Sequence, residues 1–260
     1  YVNWRHLTTL SSNPFRDVRL FMSTYDAMHP PTVRAFLSAS QRRRPLWMQG
    51  WGQTETGPLT FRFLTRKALS ATDLRPTTRD LGSPVPGKTK LRVVDPRTFK
   101  PVPPGSPGVV VARTKARCLG YVGEPERWSA KAYGPWWNTG DIGARTRTGR
   151  VLLLDREVDM VPGLSCLALE DVIEDRLRDV AECVILGAPD RLPLPVVVTH
   201  GKPPGLDAWR QAVAGLPALA EPMIFAWDEV PRTVTGKVRR LALREQLLNA
   251  PETHGSGRWT

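Results

Sequence analysis

The spacing of apolar and polar residues changes near residue 155. Before this point, short apolar runs alternate with turns rich in proline and glycine, which is typical of strands in an antiparallel or barrel-like unit. The runs at residues 91–94, 108–111 and 151–154 predict three such strands. Upstream we expect two helices, one of them at residues 31–38 with proline in its first turn.

Beyond residue 155, helical spacing predicts an amphipathic helix. Its apolar residues are Leu169, Val172, Ile173, Leu177 and Val180. Its acidic residues lie on or near the opposite face, and they are Glu170, Asp171, Glu174 and Asp175. After this helix we expect strands at 183–186, 196–199 and 223–225, and helices at 206–214 and 238–248. Together these elements would form a compact α+β module of about 95 residues.

Length and composition narrow the class of protein. The 260 residues can hold one large or two ordinary domains, and a hydrophobic content of 41% is enough for a real core. No run approaches the roughly 20 apolar residues of a membrane span. The first residues include neither an initiator methionine nor a secretory signal, so we interpret the chain as a processed product or a fragment. Three cysteines without metal-type spacing favour free thiols, and we expect a cytoplasmic protein.

The formal net charge of +12 raises the question of a nucleic-acid partner. Arginine outnumbers lysine 29 to 8, and the only dense basic cluster is residues 42–44. The remaining basic residues are scattered among acids, without a basic stripe interleaved with aromatic residues. We therefore predict no nucleic-acid partner and a solvated basic surface that could attract anionic nucleotides.

Residues 82–89, Gly-Ser-Pro-Val-Pro-Gly-Lys-Thr, match the pattern of a phosphate-binding loop. Such a loop aims backbone N–H groups at phosphates and continues into a helix. Pro84 and Pro86 remove two of those donors, and the segment that follows has the pattern of a strand. We predict a turn that enters a strand, and no nucleotide loop at this place.

Four widely spaced runs carry candidate chemistry. They are Trp-Gly-Gln-Thr-Glu at 51–55, Asn-Thr-Gly-Asp at 138–141, Asp-Arg at 155–156 leading to Asp159, and Pro-Arg-Thr-Val-Thr-Gly-Lys at 231–237. Each alone is a weak pattern, since the first also suits a strand-end turn and the second an Asx-type turn. In this order they resemble the second half of the adenylate-forming superfamily, which includes acyl-CoA synthetases, firefly-type luciferases and adenylation domains of peptide synthetases.

The resemblance implies an α/β fold. Residues 1–155 would be the trailing part of a large adenylation domain with a sheet and a distorted β-barrel. Residues 156–250 would be a small, mobile α+β lid, and residues 251–260 a disordered tail. The resemblance also implies the use of ATP, which yields AMP, with Mg²⁺ as cofactor. A carboxylic acid would be activated as its acyl-adenylate and passed to the thiol of CoA or of a carrier protein's phosphopantetheine.

The resemblance also assigns roles in the first run. Trp51 would pack on adenine, and Gly52 would allow a close backbone approach. Thr54 would hydrogen-bond the α-phosphate, and Glu55 would help to hold magnesium. These residue types suit the reaction, because adenylation needs screened phosphates and a firmly held adenosine.

The later runs supply the remaining contacts. We expect Asp141 in a turn just before the hairpin that leads to the strand at 151–154. By the resemblance it would bind the ribose, because a carboxylate can accept two hydroxyl hydrogens at once. Arg156 stands where the family has a second nucleotide-contacting residue. Lys237 would reach the acyl carboxylate and the α-phosphate, where an ammonium on a flexible stem can neutralise charge between two anions.

The resemblance also has gaps. The family's upstream Ser/Thr/Gly-rich loop, which cradles the β- and γ-phosphates, has no match. Residues 23–28 are bulkier than the family's small-residue loop beside adenine, Val158 stands at the hinge position, and the loop at 161–165 is shortened. We expect a CoA ligase, with the loading module of a peptide or polyketide synthetase and a non-catalytic truncated remnant as alternatives.

Overall fold

The computed structural model describes residues 1–24, 28–69, 77–157, 161, 164–177, 179–187 and 191–248. Three sheets organise this part of the chain. The predicted α/β class is confirmed. Several expectations lie outside the described residues, namely the tail at 251–260, the hinge residue Val158, Asp159 and parts of the segments 23–28 and 161–165. The division of the chain at residue 155 stays a prediction.

The first sheet has the strand order β1-β2-β3-β4, with β1 parallel to β2 and the other pairs antiparallel. A helix, α1, connects β1 to β2 and packs on one face of the sheet through Phe36 and Leu37, which contact a cluster that contains Trp47. A 3-10 helix at Val2–Thr9 packs beside α1. The bounds are β1 Leu20–Ser23, α1 Pro30–Ala39, β2 Leu46–Gln53, β3 Gly57–Leu64 and β4 Ser83–Pro84.

The second sheet is antiparallel, in the order β5-β6-β8-β7, with β9 also paired to β8. Its three predicted strands are confirmed as β5, β6 and β9. Within residues 82–89, the short strand β4 is followed by a turn at 86–88 that leads into β5, as predicted. The bounds are β5 Thr89–Val94, β6 Pro107–Thr114, α2 Pro125–Ser129, β7 Ala132–Tyr133, β8 Trp136–Arg145 and β9 Val151–Arg156.

The third sheet has the order β10-β11-β12 and is covered on both faces. One face packs on α3 and α4 through Ile173 and Trp209, and the other packs on α5 through Leu243. The three predicted strands and the predicted helix at 206–214 are present. The bounds are α3 Cys166–Arg176, β10 Glu182–Leu186, β11 Leu194–Thr199, α4 Leu206–Val213, β12 Met223–Ala226 and α5 Arg240–Leu248.

Two predicted helix boundaries and one predicted face are wrong. The helix expected to reach Val180 ends at Arg176, because the backbone of Leu177 leaves the helical region (φ −102°, ψ 85°). The last helix begins at Arg240, since Val238 forms a bridge with Arg232 instead. Three of the four acidic residues of α3, which were expected on or near its face away from the core, are fully buried: Glu170, Asp171 and Glu174.

None of the helices in the described ranges combines the length and the apolar character that a membrane crossing requires.

Candidate functional site

A cavity of about 490 Å³ lies where the first sheet, the second sheet and the loop before α5 meet. This volume falls within the range of small-molecule sites, roughly 300–1,000 Å³. Five of the predicted site residues line it, and they are Trp51, Gly52, Asp141, Arg156 and Lys237. The fold therefore brings together side chains that are separated by up to about 190 positions in the sequence.

Trp51 and Asp141 are joined directly across the two sheets. The indole Nε1 of Trp51 donates a hydrogen bond of 3.1 Å to Oδ2 of Asp141. Arg156 Nε lies 3.6 Å from the other carboxylate oxygen, Oδ1. Burial raises the pKa of Asp141, and Arg156, the bond from Trp51, Lys131 and Lys237 all oppose that rise. The carboxylate is thus surrounded by groups that favour its charged form.

Asp141 lies within β8, opposite Arg156 of β9, and the prediction that it sits in a turn is wrong. The Asn-Thr-Gly-Asp run makes its turn-like bonds inside the strand. The amide of Gly140, at φ 72°, donates to Oδ1 of Asn138 at 2.8 Å. Thr139 Oγ1 donates to the carbonyl of Val110 at 2.7 Å and accepts from the amide of Asp141. These bonds fix the backbone on which the Asp141 carboxylate is carried.

The packing of the β2–β3 hairpin explains why residue 52 is a glycine. A Cβ at this position would lie 2.3 Å from the carbonyl oxygen of Gly57 and 2.9 Å from Cα of Pro58. The two strands of the β2–β3 hairpin approach this closely at a register shift between Trp51 and Gly52. A side chain at Gly52 would therefore push the hairpin apart next to the Trp51 ring.

Thr54 and Glu55 occupy the turn between β2 and β3, and neither is among the described residues that line the cavity. Oε1 of Glu55 accepts a hydrogen bond of 2.5 Å from the hydroxyl of Tyr121. Burial and the neighbouring Glu55 carboxylate raise the pKa of Tyr121, so the phenol stays a donor. Glu55 is thereby held in one orientation.

Glu55 can be tested for a role with magnesium. Among the described residues, no group of three or more His, Cys, Asp or Glu side chains could hold a metal ion. Mg²⁺ is commonly bound by one or two carboxylates together with substrate phosphates and water. A single carboxylate such as Glu55 fits an ion that arrives with a nucleotide.

The loop that carries Lys237 is closed by its own hydrogen bonds. The amide of Thr233 donates to the carbonyl of Lys237 at 2.8 Å, and the amide of Lys237 donates to Oγ1 of Thr233 at 3.1 Å. Gly236 takes a φ of 85°, and Arg232 donates to its carbonyl at 3.0 Å. This compact turn holds Lys237 at the cavity, where its charge acts on Asp141.

Two cavity residues were missed from the sequence. Gln49 and Thr78 both line the cavity and are almost fully buried. Nε2 of Gln49 donates to the carbonyl of Thr78 at 2.7 Å, whereas Oε1 of Gln49 and Oγ1 of Thr78 have no hydrogen-bond partner within the described part of the chain. Buried polar atoms are usually paired, so these two mark a place for a polar ligand group. The available signal was a polar residue two positions before Trp51, on the same face of β2.

A buried charge cluster lies beside the cavity and consists of Arg5, His29, Arg79, Asp171 and Glu174. Asp171 accepts from Nδ1 of His29 at 2.7 Å, from Nε of Arg79 at 2.7 Å and from Nη2 of Arg79 at 2.5 Å. Glu174 lies 3.4 Å from Nε2 of His29 and 3.6 Å from Nη1 of Arg5. The cluster ties α3 to the part of the chain that precedes the second sheet.

The cluster changes the protonation of its members. Burial lowers the pKa of His29, but Glu174 and Asp171 outweigh it and raise this pKa to about 9. Burial raises the pKa of Glu174 to about 7, against the pull of His29 and Arg5. The pKa of Asp171 is lowered, because Arg79 and His29 overcome the effect of its burial. The raised pKa favours the cationic form of His29 at neutral pH, with Nδ1 donating to Asp171 and Nε2 at ion-pair distance from Glu174.

Glu170 is buried for a separate reason. Its carboxylate accepts two hydrogen bonds from Arg240 of α5, at 2.8 and 2.7 Å, and a third from the amide of Ile185 at 2.7 Å. Such a bidentate pair links α3, β10 and α5. The helix that follows the Lys237 loop is thus anchored beneath the loop.

Comparisons with known proteins bear on the family of this chain. The family model for AMP-binding enzymes matches residues 4–122. The chain is 40% identical over 243 residues to a 3-amino-2-hydroxy-4-methoxybenzoate diazotase from Streptomyces cremeus, covering 92% of this chain and 43% of that protein. It is 30% identical over 250 residues to a 3-hydroxybenzoate–CoA ligase from Aromatoleum sp. (strain CIB), covering 91% of this chain and 46% of that protein.

Solved structures give the same result. The anthranilate CoA ligase AuaEII, in complex with anthranoyl-AMP, superposes with a TM-score of 0.75 at 25% identity, over 94% of this chain and 47% of that one. The chain thus spans less than half the length of these relatives. On the matched family model, the aligned relatives and the shared fold, this chain belongs to the adenylate-forming (AMP-binding) superfamily.

Proposed function

We propose that this chain provides the nucleotide-binding face of an enzyme that activates an aromatic carboxylic acid with ATP and transfers the acyl group to a thiol. One observation carries the proposal: Trp51, Asp141, Arg156 and Lys237 converge on a single cavity, with Trp51 bonded to Asp141. An aromatic plane, a carboxylate and two cations are the groups that an adenosine phosphate requires.

In this proposal the adenosine is held by Trp51, Gln49 and Asp141. The Trp51 ring packs on adenine, and its bond to Asp141 fixes the ring's orientation. Oε1 of Gln49, a buried acceptor without a partner among the described residues, accepts from the 6-amino group of adenine. Asp141 accepts from the ribose hydroxyls with the lone pairs that Trp51 and Arg156 do not use.

Lys237 acts on the reacting groups. A carboxylate oxygen of the acid attacks the α-phosphorus of ATP, an O–P bond forms, and the bond to pyrophosphate breaks. The ammonium of Lys237 neutralises charge on the carboxylate and the α-phosphate as they approach each other. Thr54 would donate to the α-phosphate and Glu55 would hold Mg²⁺, which supplies additional charge neutralisation on the phosphates. The sulfur of CoA or of a carrier's phosphopantetheine then displaces AMP from the acyl carbon.

The relatives support an aromatic acid with a polar ring substituent. The names of the Streptomyces cremeus and Aromatoleum proteins refer to amino- and hydroxybenzoates, and AuaEII is a ligase of anthranilate. We infer that a hydroxy- or aminobenzoate is the class of acid to test first.

A second candidate is diazotisation of an aromatic amine, because the diazotase relative is 40% identical over 92% of this chain. The two candidates differ in product. An acyl-CoA keeps the amine of an aminobenzoate and gains a thioester, whereas a diazotase converts the amine. Mass spectrometry of a protein containing this chain, given ATP, CoA, nitrite and an aminobenzoate, separates the two outcomes.

Nucleotide binding can be tested on the 260-residue chain by calorimetric titration with AMP. Asp141→Asn removes charge-assisted hydrogen bonds worth about 1.5–3 kcal/mol, so affinity should fall roughly 10- to 150-fold. The matched control is Asp207→Asn, an exposed aspartate on α4, which should bind AMP like the parent chain. Equal affinities for all three proteins would refute the assignment of Asp141.

The role of Gln49 has its own test. IMP carries an oxygen where AMP has the 6-amino group, so the parent chain should prefer AMP by about tenfold. Gln49→Leu should erase that preference, and the exposed control Gln41→Leu should keep it. A preference that survives Gln49→Leu would assign adenine recognition to other groups.

A further inference from the structure

The loop that carries Lys237 is open to solvent over residues 233–236. The hydrogen bonds between Thr233 and Lys237 keep the shape of the loop, but they lie within it and do not tie it to the rest of the fold. The two ends of the loop meet at the bridge between Arg232 and Val238. The anchoring of this pair therefore matters for where the loop sits.

Val238 is held by apolar packing. It lies against the buried cluster on the α5 side of the third sheet, which includes Val184, Val230 and Leu243. Such packing is non-directional, so it keeps the end of the loop close to the sheet without fixing its orientation. A fixed orientation needs directional contacts.

The guanidinium of Arg232 supplies directional contacts, and only 11% of this side chain is exposed. Nη1 donates to the carbonyl of Gly236, inside the loop, at 3.0 Å. Nη2 lies 2.9 Å from Oε2 of Glu182, the first residue of β10. The central carbon of the guanidinium lies 3.5 Å from the centre of the Trp227 ring. These contacts join the loop to the third sheet and its core.

The two residues that hold Arg232 belong to well-packed parts of the fold. The side chain of Glu182 is only 14% exposed. Trp227 begins the 3-10 helix after β12, and it packs against the same buried cluster as Val238. Its ring also stacks on His200, with 4.8 Å between the ring centres. A planar guanidinium that is both stacked and ion-paired is suited to hold a loop in one orientation.

We propose that Arg232 is a positioning residue for Lys237, because it fastens the Gly236 carbonyl to Glu182 and Trp227 and so holds the lysine at the cavity. The inference rests on the proposed function, in which Lys237 acts at the α-phosphate. Arg232 is not among the described residues that line the cavity, so it acts through the loop and not on the reacting groups.

The first test separates rate from affinity in a protein containing this chain. Arg232→Ala should slow acid-dependent pyrophosphate exchange by about tenfold to a hundredfold, because a misplacement of about 1 Å in a reacting group has an effect of that size. AMP affinity, measured by calorimetry, should change only a few-fold, since Trp51 and Asp141 lie outside the loop. The matched control is Arg210→Ala, an arginine on α4 whose side chain is 67% exposed, and it should alter neither quantity. Equal losses of rate and affinity would indicate general damage to the fold and overturn the inference.

A double-mutant cycle tests whether Arg232 acts through Lys237. In the Lys237→Ala background, Arg232→Ala should slow adenylate formation no further, because no ammonium is left to be misplaced. Two losses that multiply in full would overturn the inference.

Amide hydrogen exchange of the 260-residue chain tests the same contacts without any reaction. The amides of Gly236 and Lys237 both donate to Thr233. Arg232→Ala should speed their exchange by about tenfold or more, while the amides of β11 keep their rates. Arg232→Lys should give an intermediate rate, since a lysine offers a point charge without a planar face for Trp227, and this variant decides the matter if Arg232→Ala unfolds.

The exchange measurement also distinguishes the two proposals. Loop amides that keep the parent's exchange rates in the folded variants would overturn the role of Arg232, whether or not the protein forms an adenylate. A parent protein that shows no acid-dependent pyrophosphate exchange would instead count against the proposed function, and the amide measurement on Arg232 would still stand.

Discussion

Asp171→Asn removes one negative charge from the buried charge cluster while keeping the size of the side chain. In the parent chain Asp171 accepts three hydrogen bonds from His29 and Arg79, and only 2% of its surface is exposed. The substitution leaves two buried cations facing a neutral amide. Removing one partner of a buried ion pair typically costs about 3–5 kcal/mol, so we expect a loss of free energy of unfolding near 4 kcal/mol at pH 6.5.

The size of this loss should depend on pH in a defined direction. The pKa of His29 rises from 6.5 to about 9 in the folded chain, which corresponds to roughly 3 kcal/mol. That stabilisation is fully present below pH 6.5 and is lost as pH rises through 9. The pKa of Glu174, raised from 4.5 to about 7, acts in the same direction at lower pH. At pH 10 His29 is neutral, and the cost of Asp171→Asn should fall by about half.

Urea unfolding followed by far-UV circular dichroism at pH 6.5 and pH 10 measures both effects. The matched control is Asp175→Asn on the same helix, whose partly exposed carboxylate pairs with Arg34. A pair of that kind contributes about 0–1 kcal/mol. Equal losses for the two variants, or a loss for Asp171→Asn that grows with pH, would refute the idea that the cluster is a buried, protonated network.

Two further substitutions test the site. In a protein containing this chain, Lys237→Ala should slow acyl-adenylate formation by about a hundredfold or more but change AMP affinity only a few-fold, because the lysine acts on developing charge. Pyrophosphate exchange measures the rate and calorimetry measures the affinity, with Lys202→Ala as the exposed control. Equal losses of rate and affinity would make Lys237 a ground-state ligand. Gly52→Ala should destabilise the chain by about 1–3 kcal/mol and weaken AMP binding, since its Cβ would lie 2.3 Å from the Gly57 oxygen. Gly120→Ala, which meets no atom within 4 Å, is its control in thermal unfolding and titration, and a harmless Gly52→Ala would contradict the close packing of the β2–β3 hairpin.

Local sequence patterns predicted helices and strands well where the apolar residues of the pattern are the ones that the fold buries. The apolar runs at 91–94, 108–111 and 151–154 became β5, β6 and β9, since alternation and turn residues are properties of adjacent positions. Asp141 was misplaced, because Asn138 and Gly140 carry a turn signature that the fold uses inside a strand. Local sequence does not distinguish these two uses.

Burial of charge was the property that could not be predicted. The acidic residues of α3 follow the spacing of a solvated helix face, and their partners are remote in sequence. His29 is 142 positions from Asp171, and Arg79 is 92 positions from it. Gln49 was overlooked for a related reason. An uncharged amide in a sequence does not indicate a binding site, and only the structure shows that the Gln49 oxygen is buried at the cavity.

The buried charge cluster also limits how this chain can recombine with its relatives. Its cations lie in the segment up to residue 79, and its carboxylates lie on α3. A chimera with its crossover between those segments, for example near residue 155, would take only the cations or only the carboxylates of the cluster from this chain. One chimera would bury His29 and Arg79 beside residues not selected to neutralise them, and the reciprocal chimera would bury Asp171 and Glu174 without their cations. Exchange of the segment after residue 155 between this chain and a relative therefore requires that both ends of the cluster move together.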